Sequence, residues 1–184
     1  TAILYAQLYP EAKILVIEPL PENIALIKKN IEVNGLTDRI ILIEKALFNT
    51  DGEKVQIYYR DDSPVGVAHK FVGSSSTKYT ESVGSLFFDA ETISLKTIVE
   101  KYNIENIRLI KMDLECSEYK ALENVPEEIL KKIQTIKGEY HNPDKATIQN
   151  PRTTLYKLVE SVFDDKSEEP ETQFIGSFTF ERKV

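Results

Sequence analysis

Short, continuous apolar runs separated by segments of helical spacing constrain this chain more than any other feature. Ile14-Leu15-Val16-Ile17 and Ile40-Ile41-Leu42-Ile43 have the length and unbroken character of strands covered on both faces of a parallel sheet. Between them, Pro21 suits the first turn of a helix and Glu22 complements the positive end of its dipole. Ile24, Ile27 and Ile31 then recur at helical spacing until Asn34-Gly35 supplies a stop. Ile107 to Met112, interrupted by Lys111, and Gln134 to Tyr140 extend the series. Strands alternating with helices in this way predict an α/β fold built on a doubly wound sheet. Ligands of such sheets lie beyond the carboxyl ends of the strands, so chemistry is sought in the residues that follow each run.

The intervening segments fill in the organisation. Thr1 to Tyr9 reads as a helix tail stopped by Pro10, and Asp51-Gly52 marks a turn before the alternating Val55-Gln56-Ile57-Tyr58, a strand at the periphery of the sheet. From Arg60 to Thr92 the chain is polar and irregular around Gly73-Ser74-Ser75-Ser76-Thr77, and 60–92 is expected to be a long loop or insertion that helps select a substrate. Ser94 caps a helix running to about Tyr102. Short helices are predicted over Ser117 to Glu123 and Pro126 to Lys132. A last helix is expected from Thr153 to Phe163, with Leu155, Leu158, Val159 and Val162 inward. Asp164 to Glu171 is a solvated acidic connection, and Phe174 to Phe180 a final strand or hairpin. With 184 residues and no internal repeat, 1–184 is expected to be one domain.

Composition removes several function classes. The formal charge of −7 disfavours nucleic acid as a partner, because a polyanion meets repulsion where a basic stripe would be needed. Cys116 is the only cysteine, which excludes an intrachain disulfide and leaves too few thiolates for a cysteine-based zinc site. No run reaches the roughly 18 apolar residues of a membrane span and no signal peptide opens the chain, so a cytoplasmic location is expected; a homo-oligomer is compatible with this reading. Residue 1 is Thr and the only methionine is Met112, so the sequence is read as something other than an intact translation product.

Three strand ends carry the candidate chemistry. Glu18, after the first run, can accept two hydrogen bonds from the vicinal hydroxyls of a ribose; it can equally serve as the dipole partner of the helix that starts at Pro21. Lys111, Asp113 and Glu115 share one face if the extended chain continues, and two carboxylates with an ammonium can position a substrate hydroxyl. The alternative is an ion-paired strand end followed by capping by Ser117. Glu139 and His141 share a face at the third strand end, where an imidazole can titrate near neutrality; His69 reads as a surface histidine.

Together these pieces resemble one family. Ile17-Glu18-Pro19-Leu20-Pro21-Glu22-Asn23, with Asn30 and Asn34-Gly35 downstream, is similar to the E-P-x-P-x-N segment and the N-x-x-x-N-G ending of FkbM-like methyltransferases. Ile93-Ser94-Leu95, then Ile110-Lys111-Met112-Asp113-Leu114-Glu115 and Glu118, resemble its S-L-D and K-x-D-x-E-G-x-E elements, and Glu139-Tyr140-His141 its E-x-H strand end. The match runs from about Leu15 to His141 in the family's order.

The resemblance implies a Rossmann-like sheet of the class I methyltransferase type and transfer of a methyl group from S-adenosylmethionine to a hydroxyl of a small molecule, sugar or glycolipid. It implies that Glu18 holds the cofactor ribose, that Pro19 and Leu20 line the adenine pocket and that Ala46 sits at the adenine edge. Asp113 is then expected near the sulfonium and the acceptor. Glu115, Glu139 and His141, with Lys111, shape the acceptor side, and His141 or Asp113 is the general base. Glu18, Asp113 and His141 are expected to converge on one crevice. A divalent cation held by the carboxylates and histidine is the lesser reading, since spacing alone defines no coordination shell.

Two departures qualify the match. The family's N-terminal strand and glycine-rich cofactor loop would lie before Thr1, whereas the first glycine is Gly35, so weak cofactor binding is expected of these residues alone. Cys116 stands where the pattern has glycine. The rival readings are an inactive adenosyl-binding relative that acts as an interaction module, and a nicotinamide-dependent oxidoreductase, whose cofactor ribose also suits an acidic strand end.

Overall fold

In the computed structural model, which describes residues 1–59, 86–142 and 148–184, the apolar runs are strands and the periodic segments between them are helices. Contacts divide the chain into two compact units, one of residues 1–46 and 53–92, the other of 47–52 and 93–184. Mixed α/β structure is thus established, with the described strands hydrogen-bonded in three sheets.

The first unit begins with α1 (Ala2–Leu8), β1 (Ile14–Ile17), α2 (Pro21–Val33) and β2 (Ile40–Ile43). β1 and β2 pair in parallel, Ile14 opposite Ile40 and Ile17 opposite Ile43. Ala6 of α1, Ile31 of α2 and Ile40 of β2 form its buried core, with Ile14, Val16 and Ile27 packed around them. Every residue of β1 is only half-buried, a departure from the expected strand covered on both faces. The Arg39 guanidinium donates to the carbonyls of Ala6, Tyr9 and Ala12, satisfying acceptors that the end of α1 leaves over.

A second sheet joins β3 (Ala46–Phe48), β4 (Lys54–Tyr59) and β5 (Leu86–Ser94) in the order β3-β5-β4. β4 lies at its edge, as expected of a peripheral strand, and pairs antiparallel with β5 so that Val55 faces Ala90 and Ile57 faces Phe88. The expected irregular segment 60–92 falls outside the described residues up to 85, and 86–92 corrects it: this stretch is strand. Ala90 and Thr92 are buried while Phe87, Asp89 and Glu91 are exposed, a true alternation of two blurred in the sequence by adjacent Phe87-Phe88 and by the small side chain of Ala90.

The second unit holds α3 (Leu95–Lys101), β6 (Ile107–Met112), α4 (Glu118–Leu122), α5 (Glu127–Leu130), β7 (Ile133–His141), α6 (Pro151–Tyr156), β8 (Phe163–Asp165) and β9 (Ile175–Arg182). Ser94 Oγ accepts the Thr97 N–H at 3.1 Å, the cap read from the sequence. The strands run β6-β7-β9-β8, with β6 and β7 parallel and β9 antiparallel to both of its neighbours. Ile136, Tyr140, Phe178 and Phe180 are fully buried on one face of this sheet, and Lys137, Glu139 and His141 alternate onto the other.

Two glycines keep this packing possible. A Cβ on Gly138 would lie 1.9 Å from the Met112 carbonyl oxygen, and one on Gly176 would lie 2.4 Å from the Tyr140 hydroxyl. That hydroxyl accepts the Thr172 N–H at 2.8 Å, so the wholly buried phenol is not left without a partner.

The last helix is shorter than expected. α6 stops at Tyr156, and the next backbone bonds, Leu158 N to Leu155 O and Val159 N to Tyr156 O, close three-residue turns. Phe163 is then drawn into β8 opposite Arg182, which also removes Asp164 and Asp165 from the expected solvated connection. Among the described residues no helix is long and apolar enough to cross a membrane.

Candidate functional site

The carboxyl end of β6 does not continue as the extended chain the sequence suggests. Glu115 has φ 50° and Cys116 φ 84°, and the Ser117 N–H donates back to the Leu114 carbonyl at 3.2 Å. Two successive left-handed residues closed by that bond are the mark of a type I′ turn. The turn reverses the chain and delivers Glu118 at the start of α4, where its carboxylate folds back: Oε1 accepts the Leu114 N–H at 2.9 Å. The φ of Cys116 gives the physical reason a glycine suits that position, since a Cβ is disfavoured in the left-handed region.

His141, the last residue of β7, meets this turn. Its Nδ1 lies 3.0 Å from Oε1 of Glu118, the same oxygen that Leu114 holds, and its Nε2 lies 3.5 Å from Oε2 of Glu115. Glu118 is wholly buried, and its Oε2 has no hydrogen-bond partner among the described residues. Burial alone would lower the His141 pKa. The hydrogen bond and charge of Glu118 oppose this and, with the charges of Glu115 and Asp113, raise it above the ordinary 6.5.

Asp113, Glu139 and His141 are brought together: one potential ligand atom from each lies within 4.8 Å of the others, with both carboxylates exposed. Lys111 donates to Asp113 at 3.0 Å. The parallel register explains the grouping, because Lys111 stands opposite Lys137 and Met112 opposite Gly138, so Asp113 leaves β6 beside the end of β7. Such a cluster can grip a hydroxyl, an ammonium or a metal cation. Its Nε2, flanked by carboxylates, is suited to exchanging a proton with a bound hydroxyl.

Glu18, Pro19, Leu20 and Ala46 belong to the first unit. Glu18 follows β1 at the carboxyl end, and its Oε1 accepts the Leu20 N–H at 2.9 Å. Burial raises its pKa, outweighing the lowering by the Leu20 N–H and the Asn23 side chain. Leu20 is buried. Ala46 packs with Val55, Ile57 and Ala90, which occupies its methyl group.

Sequence reasoning assigned no role to Glu118 and overlooked Asn142. The latter is buried, and its Nδ2 donates to the carbonyls of Ile148 and Gln173, tying the chain after His141 to the approach of β9. The signal for Glu118 was its place in the Asp113-Leu114-Glu115-Cys116-Ser117-Glu118 spacing; Asn142 had none, since both partners are carbonyls set by the fold.

Comparison with known proteins adds one match. The family model described as the methyltransferase FkbM domain matches residues 1–168. No curated protein and no solved structure matches the chain.

Proposed function

Because this chain belongs to the FkbM methyltransferase family, we propose that it moves a methyl group from S-adenosylmethionine to a hydroxyl of a small molecule, sugar or glycolipid, on a Rossmann-like doubly wound scaffold of the class I methyltransferase type. The hydroxyl reading is carried by one observation: the His141 imidazole sits between Glu118 and Glu115 with Asp113 and Glu139 beside it.

Glu18 fits the ribose of such a cofactor. Its half-buried carboxylate is oriented by the Leu20 N–H on Oε1, and a vicinal diol offers two further donors. Pro19 and Leu20 line the adenine. Ala46, whose methyl group is engaged in the apolar cluster, sits at the adenine edge. When bound, the sulfonium supplies an electrophilic methyl group.

The chain's own residues do the rest. Glu139 and Asp113 accept or orient the acceptor hydroxyl, Lys111 fixes Asp113, and neutral His141 takes the hydroxyl proton on Nε2 as the oxygen becomes nucleophilic. Glu115, 3.5 Å from that nitrogen, favours the imidazolium that results.

The test is incubation of the full-length gene product with methyl-labelled S-adenosylmethionine and a panel of sugars, glycolipids and small hydroxylated compounds. Label appearing on an acceptor oxygen is expected. Calorimetry that finds neither S-adenosylmethionine nor its demethylated product bound would end the proposal.

A further inference from the structure

We infer that Glu118 is a positioning residue that fixes the tautomer of His141, keeping one proton on Nδ1 so that Nε2 is the nitrogen free to accept another. The inference deepens the proposed function and rests on it only for the use to which the ring is put.

A wholly buried carboxylate needs donors, and Glu118 has two among the described residues, the Leu114 N–H at 2.9 Å and His141 Nδ1 at 3.0 Å, both on Oε1. Its Oε2 has none, so taking the proton from Nδ1 would leave a buried carboxylate with a single hydrogen bond. The other ring nitrogen faces Glu115 at a longer 3.5 Å, and that carboxylate retains access to water. The two protons of the imidazolium therefore differ in what their loss costs, and the one on Nε2 leaves first.

Glu118 is also placed to resist movement. The type I′ turn at Glu115-Cys116 presents it, Leu114 pins the oxygen that His141 uses, and the bond joins residues 23 apart in sequence across the ends of β6 and β7. A first-turn acid serving only a helix dipole would not explain this, because α4 has five residues and the carboxylate turns to Leu114 and His141.

Long-range proton–nitrogen NMR spectra of the uniformly labelled protein test the idea without cofactor or acceptor. The chain has two histidines, and His69→Gln assigns the signals. At a pH where the ring is neutral, the proton is expected on Nδ1 of His141 in the parent protein. Glu118→Gln, which keeps a carbonyl acceptor, retains that tautomer, and Glu118→Ala releases the ring to a mixture. A parent ring protonated on Nε2, or an Ala variant with an unchanged tautomer, overturns the inference. If the Ala variant does not fold, the parent spectrum still decides.

In the transfer assay, Glu118→Ala is expected to lower kcat roughly 10- to 100-fold with the acceptor KM little changed. A rise in KM alone would contradict a positioning role. A fixed Nδ1–H ring in a protein that transfers no methyl group would support the hold of Glu118 on His141 while removing the proposed activity.

Discussion

Two parallel strand pairs end in carboxylates, and they end differently. After β1, Glu18 is satisfied within its own turn, by the Leu20 N–H two residues on and by the Asn23 side chain. After β6 and β7, Glu118 takes its side-chain partner from across the sheet, an imidazole 23 residues away. The local arrangement holds a carboxylate ready for an outside partner. The cross-strand arrangement has already spent its carboxylate on shaping a histidine. On the proposed function, binding falls to the first strand end and proton transfer to the second.

Substitution can break this division. His141→Ala should lower kcat roughly 10²- to 10⁴-fold, the usual worth of a general base, while cofactor affinity measured by calorimetry stays within about twofold. Glu18→Ala should do the reverse, weakening the adenosyl cofactor by about 10- to 100-fold through loss of hydrogen bonds to a charged group. The His141 tautomer in that variant should be unchanged by NMR. If the Glu18 variant lost kcat at saturating cofactor instead, the contrast between the two strand ends would fail.

The same contrast explains what could be read beforehand. β1, α2, β2 and the Ser94 cap follow from periodicity and local chemistry, and so does Glu18, whose partners are its own neighbours. The role of Glu118 could not be read, because nothing within several residues of it announces a partner at His141. Its meaning arises only when β6 and β7 align in register. β5 was read as irregular chain and α6 as a longer helix for a related reason: antiparallel pairing with β4 organised 86–92, and pairing with β9 claimed Phe163 from the expected helix. Cys116 was noticed as a departure from glycine, but its consequence needed the backbone angle.

A pH series sharpens the second strand end. Proton acceptance needs neutral His141, so kcat/KM, which reports the unliganded protein, should fall about tenfold per pH unit below a midpoint that lies above 6.5, the direction set by Glu118, Glu115 and Asp113 against burial. Stability runs the other way. A raised histidine pKa contributes stability that is full below 6.5 and is lost as pH rises through the folded value, so chemical denaturation should show that loss on the alkaline side. Glu118→Gln should move the activity midpoint toward lower pH and flatten the stability change. An unmoved midpoint would assign the limb to another group.

The smallest effect expected is at the turn that follows β6. Cys116 holds φ 84° with a side chain, beside Glu115 at φ 50°, and left-handed backbone costs a non-glycine residue about 1 kcal/mol or more. Cys116→Gly removes that cost but adds conformational freedom to the unfolded chain, which recovers about 0.5 kcal/mol of it for the denatured state. The net expectation is a gain on the order of 0.5 to 1 kcal/mol, read from the urea midpoint at unchanged slope. If the thiol's own packing outweighed the strain, the variant would instead be less stable, and the turn would owe its shape to Cys116 as much as to the bond between Ser117 and Leu114. Either sign leaves the His141 tautomer a separate readout: a turn that keeps its geometry keeps Glu118 on Nδ1, so a tautomer change in Cys116→Gly would show that the thiol, and not only Glu118, sets the ring.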